Sequence, residues 1–175
     1  MDWHVREATV EDVERLALVG AATFLESFAG VIDGGAIVRH CQRQHAVETY
    51  RDYFAAGAFA WLAEAAPGAA PVGFALLTRP DLPGIDPDGG DLELKRIYAL
   101  SRLHGTGAGS ALMQAAVERA EREGAPRLLL GVYKGNDRAL AFYARKGFTP
   151  IGERRFRVGD REYEDLVLAR PLGGG

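Results

Sequence analysis

A glycine-rich turn between an apolar stretch and a helical stretch is the most informative feature of the sequence. Three glycines alternate with small residues there, at positions 105, 107 and 109, and residues 110–123 continue with helical periodicity. The first N–H groups of a helix lack intrahelical partners and lie at the positive end of its dipole, and glycine lets an anion approach the backbone closely. We therefore predict that the turn binds a phosphate group, and a pyrophosphate suits its size.

Two common phosphate-binding motifs are disfavoured at this turn. A P-loop needs Gly-x-x-x-x-Gly-Lys-Ser/Thr, and no lysine follows these glycines. A dinucleotide fingerprint needs Gly-x-Gly-x-x-Gly, but its last position is Ser110 when counted from Gly105 and Leu112 when counted from Gly107. The acidic residue expected at the end of the next strand is also missing, because that strand ends in Tyr133 and Lys134.

A second motif follows one helix and one strand later, in residues 136–148. It reads Asn-x-x-Ala-x-x-Phe-Tyr-x-x-x-Gly-Phe, from Asn136 through Tyr143 to Phe148. In order and spacing the two motifs resemble those of the GNAT superfamily of N-acetyltransferases, whose first motif is Arg/Gln-x-x-Gly-x-Gly/Ala. One position departs from that pattern, since His104 stands where the family usually has Arg or Gln. The resemblance covers nearly all of the chain.

The resemblance implies an acetyl-coenzyme A-dependent N-acetyltransferase that uses direct transfer, with no metal and no covalent enzyme intermediate. The pyrophosphate is expected to bind mainly backbone N–H groups of the turn, so that the change at His104 weakens one side-chain contact without removing the site. Strand-end backbone groups are expected to pair with the pantetheine amides, as an added strand pairs with a sheet edge. The expected cofactor-binding residues are Ile97, Tyr98, Ala99, His104, Gly105, Thr106, Gly107, Ala108, Gly109, Ser110, Asn136 and Tyr143.

Transfer to an amine calls for a base, because an alkyl amine with a pKa of about 10.4 is only about one part in 10³ unprotonated at pH 7. A positioned general base contributes about 10²–10⁴-fold. Glu93 is the best candidate, because it precedes the glycine turn where several GNAT enzymes carry a glutamate, and alternation places it on one strand face with Lys95. The alternatives are a solvated glutamate, an ion pair with Lys95 or Arg96, and a water chain in place of a direct carboxylate.

Tyr143 is the candidate general acid. In the family this tyrosine protonates the departing thiolate, and Asn136 contacts the pantetheine arm. A phenol with a pKa of about 10 remains protonated at pH 7, whereas the thiolate of a thiol with a pKa of about 8.5 accepts a proton. The alternative for Tyr143 is core packing, and Asn136 is also a natural helix N-cap, a role compatible with cofactor contact.

The acceptor is the least determined part of the prediction. Residues 23–30 and 156–165 are loosely similar to bacterial GNAT members that acetylate small amines and polyamines, which makes Glu26, Phe28 and Asp33 candidate acceptor-binding residues. Glu26 and Asp33 carry charges that attract a cation, or they are simply solvated. Other hypotheses are acetylation of a protein N-terminus or lysine, and a non-catalytic coenzyme A-binding module or part of a regulatory assembly. Tyr143 argues against the non-catalytic alternatives, because a binder needs no thiolate acid.

The elements predicted to position these residues follow from periodicity and turn signals. Their order is strand, two helices, three strands, helix, strand, helix and two strands, which matches the GNAT fold. That fold is an α/β (α+β) arrangement with a mixed, mostly antiparallel sheet of about seven strands flanked by helices. The predicted strands are residues 3–7, 59–63, 72–78, 91–99, 126–133, 148–157 and 161–170. The predicted helices cover residues about 10–30, 36–56, 110–123 and 136–146. A capping box of Thr9 and Asp12 marks the start of the first helix.

The last two strands are predicted to form a hairpin that turns at residues 158–160. Residues 79–90 are rich in Pro, Asp and Gly and are predicted to form a surface loop. A length of 175 residues suits a single domain over 1–175 with a short flexible glycine tail at 173–175.

The composition and charge of the chain limit the classes of partner that it is expected to bind. The net charge of −3 and the absence of a basic tract give no reason to expect nucleic-acid binding. The sequence contains no 18-residue apolar stretch of the kind that would predict a membrane span. A single cysteine, Cys41, fits a reducing compartment, and we expect a cytoplasmic protein. His40, Cys41 and His45 lack metal-ligand spacing, so no metal site is predicted. Family analogy implies a homodimer.

Overall fold

The structure is a computed structural model that describes residues 1–158 and 161–173. The described residues form seven strands and five α-helices, with short 3₁₀ turns at Val10–Asp12 and Ser101–Leu103. In chain order they are β1 (Trp3–Ala8), α1 (Val13–Phe28), α2 (Gly34–Gln44), α3 (Val47–Ala55), β2 (Phe59–Ala65), β3 (Ala70–Thr78), β4 (Leu92–Ala99), α4 (Ala108–Arg122), β5 (Arg127–Tyr133), α5 (Asp137–Arg145), β6 (Thr149–Val158) and β7 (Arg161–Pro171).

The strands follow the order β1-β2-β3-β4-β5-β7-β6 in the sheet. The pairs β1/β2, β2/β3, β5/β7 and β6/β7 are antiparallel, and β4/β5 is parallel. The parallel ladder joins Leu92 to Leu128 and Glu93 to Leu129, at the first positions of β4. The predicted fold class, a mixed and mostly antiparallel seven-stranded sheet with helices, is confirmed.

The chain divides into two compact units, of which the first contains residues 1–78 and 96–116 and the second residues 79–95 and the chain from 117 onward. The single domain over residues 1–175 stays a prediction. Gly174 and Gly175 of the predicted tail lie outside the described residues, as do Gly159 and Asp160 of the predicted turn.

The core of the first unit forms where the apolar face of α1 packs on β2 and β3. Leu16 of α1, Leu62 of β2 and Phe74 of β3 are completely buried there. Burial of a side chain of this size contributes about 1.5–3 kcal/mol. The predicted capping box before α1 is present, since the Asp12 carboxylate accepts a hydrogen bond from the Thr9 N–H at 3.0 Å, but it opens the 3₁₀ turn and the α-helix begins at Val13.

The second unit has a smaller core on one face of its strands. Leu129 of β5 and Val167 and Ala169 of β7 are buried beneath Leu82 and Ile85 of the loop between β3 and β4. The Pro, Asp and Gly content of this loop predicts a surface position. Two apolar residues within it nevertheless cover the sheet face that also carries Glu93.

One predicted element is wrong. Residues 36–56 do not form a single helix, because α2 ends at Gln44 and α3 begins at Val47. At the break the backbone of Ala46 is extended, and the His45 ring turns into the core, where its Nδ1 lies 2.9 Å from the Tyr50 hydroxyl. Burial of this ring therefore interrupts the helix. The bounds of the other predicted strands and helices agree with the structure to within about two residues, apart from the 3₁₀ start before α1.

Gly20 of α1 provides the space for this ring, which gives a test of the packing. A Cβ at position 20 would lie 2.2 Å from His45 Nδ1 and 2.5 Å from the Tyr50 hydroxyl. We expect Gly20→Ala to lower the free energy of unfolding by about 1–3 kcal/mol, because overpacking outweighs the gain in helix propensity. Urea denaturation measures the change. The matched control is Gly34→Ala, in the first turn of α2 with no atom within 4 Å of the added Cβ, which we expect to leave stability unchanged or slightly raised. Equal losses in both variants would contradict the packing argument.

Candidate active site

The glycine turn connects β4 to α4 as the sequence predicts. After the 3₁₀ turn Ser101–Leu103, Gly105 and Gly107 adopt φ values of +80° and +93°, and α4 begins at Ala108. L side chains are strained at such φ values, so the turn depends on glycine at both positions. Residues 104–107 are exposed, while Leu103 and Ala108 on either side of them are buried. The start of a 15-residue helix is thereby presented at an exposed loop, an arrangement suited to anions.

The end of β4 carries the predicted pantetheine contacts. Tyr98 is exposed, Ile97 and Ala99 are half-buried, and the Leu100 N–H donates to the Val72 carbonyl at 2.9 Å. A Cβ at position 73 would lie 3.1 Å from both the Tyr98 carbonyl oxygen and the Ala99 Cβ, so a glycine in β3 permits this close approach.

The three candidate acceptor residues lie in the first unit, at the end of α1 and the start of α2. The Glu26 carboxylate accepts hydrogen bonds from the Ser101 N–H at 2.7 Å and the Ser101 hydroxyl at 2.8 Å, and these bonds lower the pKa of Glu26. Asp33 caps α2 by accepting the Ala36 N–H at 2.9 Å. The Phe28 ring packs against Phe24 with centroids 4.5 Å apart. Glu26 and Asp33 thus have structural partners, and contact of all three residues with an acceptor stays a prediction.

A polar and aromatic cluster at the α2–α3 break was not predicted. Arg96 of β4 donates to the Gln44 carbonyl at 2.7 Å and to the Tyr50 hydroxyl at 3.1 Å, so it is held by this junction. Burial, with the nearby Arg96 charge, lowers the pKa of His40 to about 4 and that of His45 to about 3. Both rings are therefore neutral at pH 7. Arg96 lies 52 residues from Gln44 and 46 from Tyr50 along the chain, and no sequence spacing indicates this contact.

Cys41 lies beside this cluster and has the properties of an inert thiol. Its Sγ is 3.9 Å from the Ala21 carbonyl, and burial raises its pKa. Among the residues that the structure describes, no group of three His, Cys, Asp or Glu side chains is placed to hold a metal ion.

Glu93 occupies a buried position on β4 in the second unit. Only 2% of the residue is exposed, its Oε2 accepts the Asp81 N–H at 2.8 Å, and its Oε1 lies 3.9 Å from the Lys95 Nζ. A solvated glutamate is therefore the wrong alternative, whereas the Lys95 ion pair is present. Burial raises the pKa of Glu93, and the Lys95 charge, the Asp81 N–H and Arg154 oppose that rise. The carboxylate is thus a stronger base than one in water.

The second motif organises α5 around Tyr143. Asn136 is exposed and caps the helix, with its Oδ1 accepting the Ala139 N–H at 3.1 Å. At the other end Gly147 adopts a φ of +84°, and the Phe148 N–H donates to the Tyr143 carbonyl at 3.1 Å. This turn places the centroid of the Phe148 ring 5.9 Å from that of the Tyr143 ring, and Tyr143 as a residue is 9% exposed. The spacing of the motif therefore fixes the tyrosine through both backbone and ring contacts.

Comparison with known proteins identifies the family. The profile of the Acetyltransferase (GNAT) family matches residues 22–148, which is more than half of the chain and includes both motifs. The chain belongs to the GNAT family. Residues 92–148 of this GNAT chain contain the predicted base, the glycine turn and the Asn136–Tyr143 motif.

The relatives that match by sequence include uncharacterised N-acetyltransferases. This GNAT chain is 43% identical over 101 residues to the uncharacterised N-acetyltransferase Rv2669 of Mycobacterium tuberculosis strain H37Rv, a match that covers 58% of the chain and 60% of the relative. An uncharacterised N-acetyltransferase of Lactobacillus delbrueckii subsp. lactis is 35% identical over 88 residues, which is 50% of each chain. The chain thus matches about 60% or less of the length of these relatives.

Solved structures share the fold. The PaiA N-acetyltransferase of Thermoplasma acidophilum, in complex with coenzyme A, superposes with a TM-score of 0.76 at 19% identity, and the match covers 98% of this chain and 99% of that one. Nourseothricin acetyltransferase is 26% identical with a TM-score of 0.56, over 66% of each chain. In the part of the chain that the structure describes, no helix combines the length and apolar character that a membrane span requires.

Proposed function

We propose that this GNAT chain is an N-acetyltransferase that moves an acetyl group from acetyl-coenzyme A to a primary amine by direct transfer. The observation that carries the proposal is the glycine turn, where Gly105 and Gly107 hold positive φ values and the N-terminus of α4 lies at an exposed loop. In our proposal the diphosphate of the cofactor binds the backbone N–H groups of residues 104–110. The backbone of residues 97–99 pairs with the pantetheine arm, and Asn136 contacts that arm as well.

Glu93 is the proposed general base. Its burial and raised pKa favour proton uptake from an ammonium or through a water molecule, and the Asp81 N–H fixes one carboxylate oxygen, which leaves the carboxylate oriented. Tyr143 is the proposed general acid. The transferred proton goes to the thiolate of coenzyme A when the C–S bond of the tetrahedral intermediate breaks and the amide remains.

The proposed acceptor is a small amine or polyamine, with Glu26, Phe28 and Asp33 as its proposed contacts. A cytoplasmic homodimer is proposed on the single cysteine and on family analogy. A screen of amines, aminoglycosides and peptides for thiol release from acetyl-coenzyme A tests the acceptor class. Thiol release with peptides alone would favour acetylation of proteins. Binding of coenzyme A without thiol release in the presence of any acceptor would favour a binding module.

The pH dependence of Glu93→Gln tests the proposed base. We expect turnover to fall roughly 10-fold or more, mainly below neutral pH, because few amine molecules are unprotonated there and the base matters most. The effect should extend down to the pKa of Glu93, below which the parent carboxylate is itself protonated. A pH–rate profile of both proteins with a good acceptor measures it. Glu153→Gln, an exposed carboxylate on β6, is the matched control. Identical parent and Glu93→Gln profiles would exclude Glu93 and favour a water chain.

A further inference from the structure

Charged side chains form a row across one face of the second unit's strands. Arg154 of β6 and Asp165 of β7 are register partners, and both Nε and Nη2 of Arg154 lie 3.2 Å from the Asp165 Oδ2. The two side chains are 18% and 6% exposed, although β6 is an edge strand. The arginine is thus directed over the sheet and not outward from its edge.

Gly131 of β5 shows how far the guanidinium reaches. A Cβ at position 131 would lie 2.4 Å from the Arg154 Nη2 and 2.7 Å from its Cζ, so the guanidinium rests on the β5 backbone in the space that a side chain would occupy. Leu129 and Gly131 are two positions apart on β5, so both face the same side of the sheet, and their Cα atoms are roughly 7 Å apart. Leu129 is the register partner of Glu93. The Arg154 side chain therefore reaches from the edge strand β6, across β7, to the β5 residue two positions beyond the register partner of Glu93.

We propose that Arg154 is a positioning residue for Glu93: held by Asp165 and seated on Gly131, its guanidinium favours the ionised, proton-accepting form of the Glu93 carboxylate. The proposal deepens the proposed function, because it rests on Glu93 as the base. It also assigns a role to the C-terminal hairpin, which tunes the base without touching the reacting atoms.

The other charges facing Glu93 do not replace Arg154. Lys95, on the same strand, lies 3.9 Å from Glu93 and is shared with Asp81, 3.7 Å away. Asp81, in the loop between β3 and β4, adds a negative charge that raises the pKa of Glu93 while its N–H lowers it. Arg154 adds a positive charge from the β6–β7 hairpin, and this charge opposes the effect of burial on the pKa of Glu93. Loss of Arg154 leaves Glu93 with the shared Lys95 charge and leaves Asp165 without its ion pair.

The direct test is a titration of the carboxyl carbons by NMR in protein labelled with ¹³C-glutamate. Glu93→Gln identifies the Glu93 resonance by its disappearance. In Arg154→Gln we expect the Glu93 midpoint to move to higher pH, since the neutral acid is no longer disfavoured by the cation. Arg154→Lys retains the charge and is expected to remain closer to the parent. Arg155→Gln, whose side chain is 77% exposed and pairs with Glu162, is the matched control and should leave the midpoint unchanged.

A kinetic readout completes the test once an acceptor is known. On the acidic limb of the pH–rate profile, turnover of Arg154→Gln should fall roughly 3-fold or more, and it should approach the parent at high pH as the carboxylate ionises. A purely structural role would lower stability at every pH and leave the midpoint in place.

If Arg154→Gln fails to fold because Asp165 is left buried and unpaired, the double variant Arg154→Gln/Asp165→Asn removes both charges and is measured in its place. An unchanged Glu93 midpoint in folded Arg154→Gln, or a midpoint in the double variant equal to that in Asp165→Asn alone, would overturn the proposal. The NMR midpoint can be measured without turnover. A shifted Glu93 midpoint in a protein that has no transferase activity would therefore refute the proposed function, while the electrostatic effect of Arg154 on Glu93 would stand.

Discussion

Replacing Tyr143 with phenylalanine is expected to slow the chemical step about 100-fold, which corresponds to about 2.7 kcal/mol of transition-state stabilisation. The substitution removes only the hydroxyl. The ring contacts with Phe142 and Phe148 remain, and the hydrogen bonds from the Lys146 and Phe148 N–H groups go to the backbone carbonyl of Tyr143. Because this ring packing is kept, we expect coenzyme A affinity and the melting temperature to change little.

Single-turnover kinetics with a good acceptor measure the effect, and calorimetry and thermal unfolding measure affinity and stability. Tyr53→Phe serves as the control, because it deletes a phenolic hydroxyl that the proposed chemistry does not use. Unchanged single-turnover rates for Tyr143→Phe would remove Tyr143 as the acid. A collapse in stability would instead assign the hydroxyl to core packing, the alternative that the sequence left open.

The second large effect is expected at Gly107. Gly107→Glu should weaken coenzyme A binding by about 100-fold or more, because it places a side chain and a negative charge where the diphosphate is proposed to meet the backbone. The φ of +93° adds strain for any L residue, so a fold control is needed. Gly84→Glu supplies it, since Gly84 has a φ of +82° and no atom within 4 Å of an added Cβ, and it lies in the loop between β3 and β4.

Titration calorimetry of both variants separates local strain from ligand binding. We expect Gly84→Glu to bind coenzyme A as the parent does, with a modest loss of stability. Full affinity in a folded Gly107→Glu protein would reject the glycine turn as the diphosphate site, and an equal loss in both variants would attribute the effect to strain.

The features predicted most accurately from sequence are those specified over short stretches of chain. The strand, turn and helix around Gly107 follow from apolar runs and glycines within about twenty residues, and Asn136 caps α5 as its residue type indicates. The alternation that places Glu93 beside Lys95 is equally local. Each of these depends on backbone preference or on neighbours close in sequence.

The features that sequence did not predict depend on partners far along the chain. The break between α2 and α3 contains no proline or glycine, and it follows from the space that Gly20 leaves for the His45 ring. The Glu26 carboxylate pairs with Ser101, 75 residues away. Arg154 on an edge strand would be expected to point into solvent, and only the three-dimensional register reveals the glycine beneath it.

The seating of Arg154 on Gly131 has an evolutionary consequence. Two positions 23 residues apart occupy one volume, so neither can vary freely while the other is retained. A chain with alanine or serine at position 131 must move the guanidinium, and a chain with a short residue at 154 releases the requirement for glycine at 131. Among related sequences, the identities of these two positions should therefore change together, and drift at one position should be followed by compensation at the other.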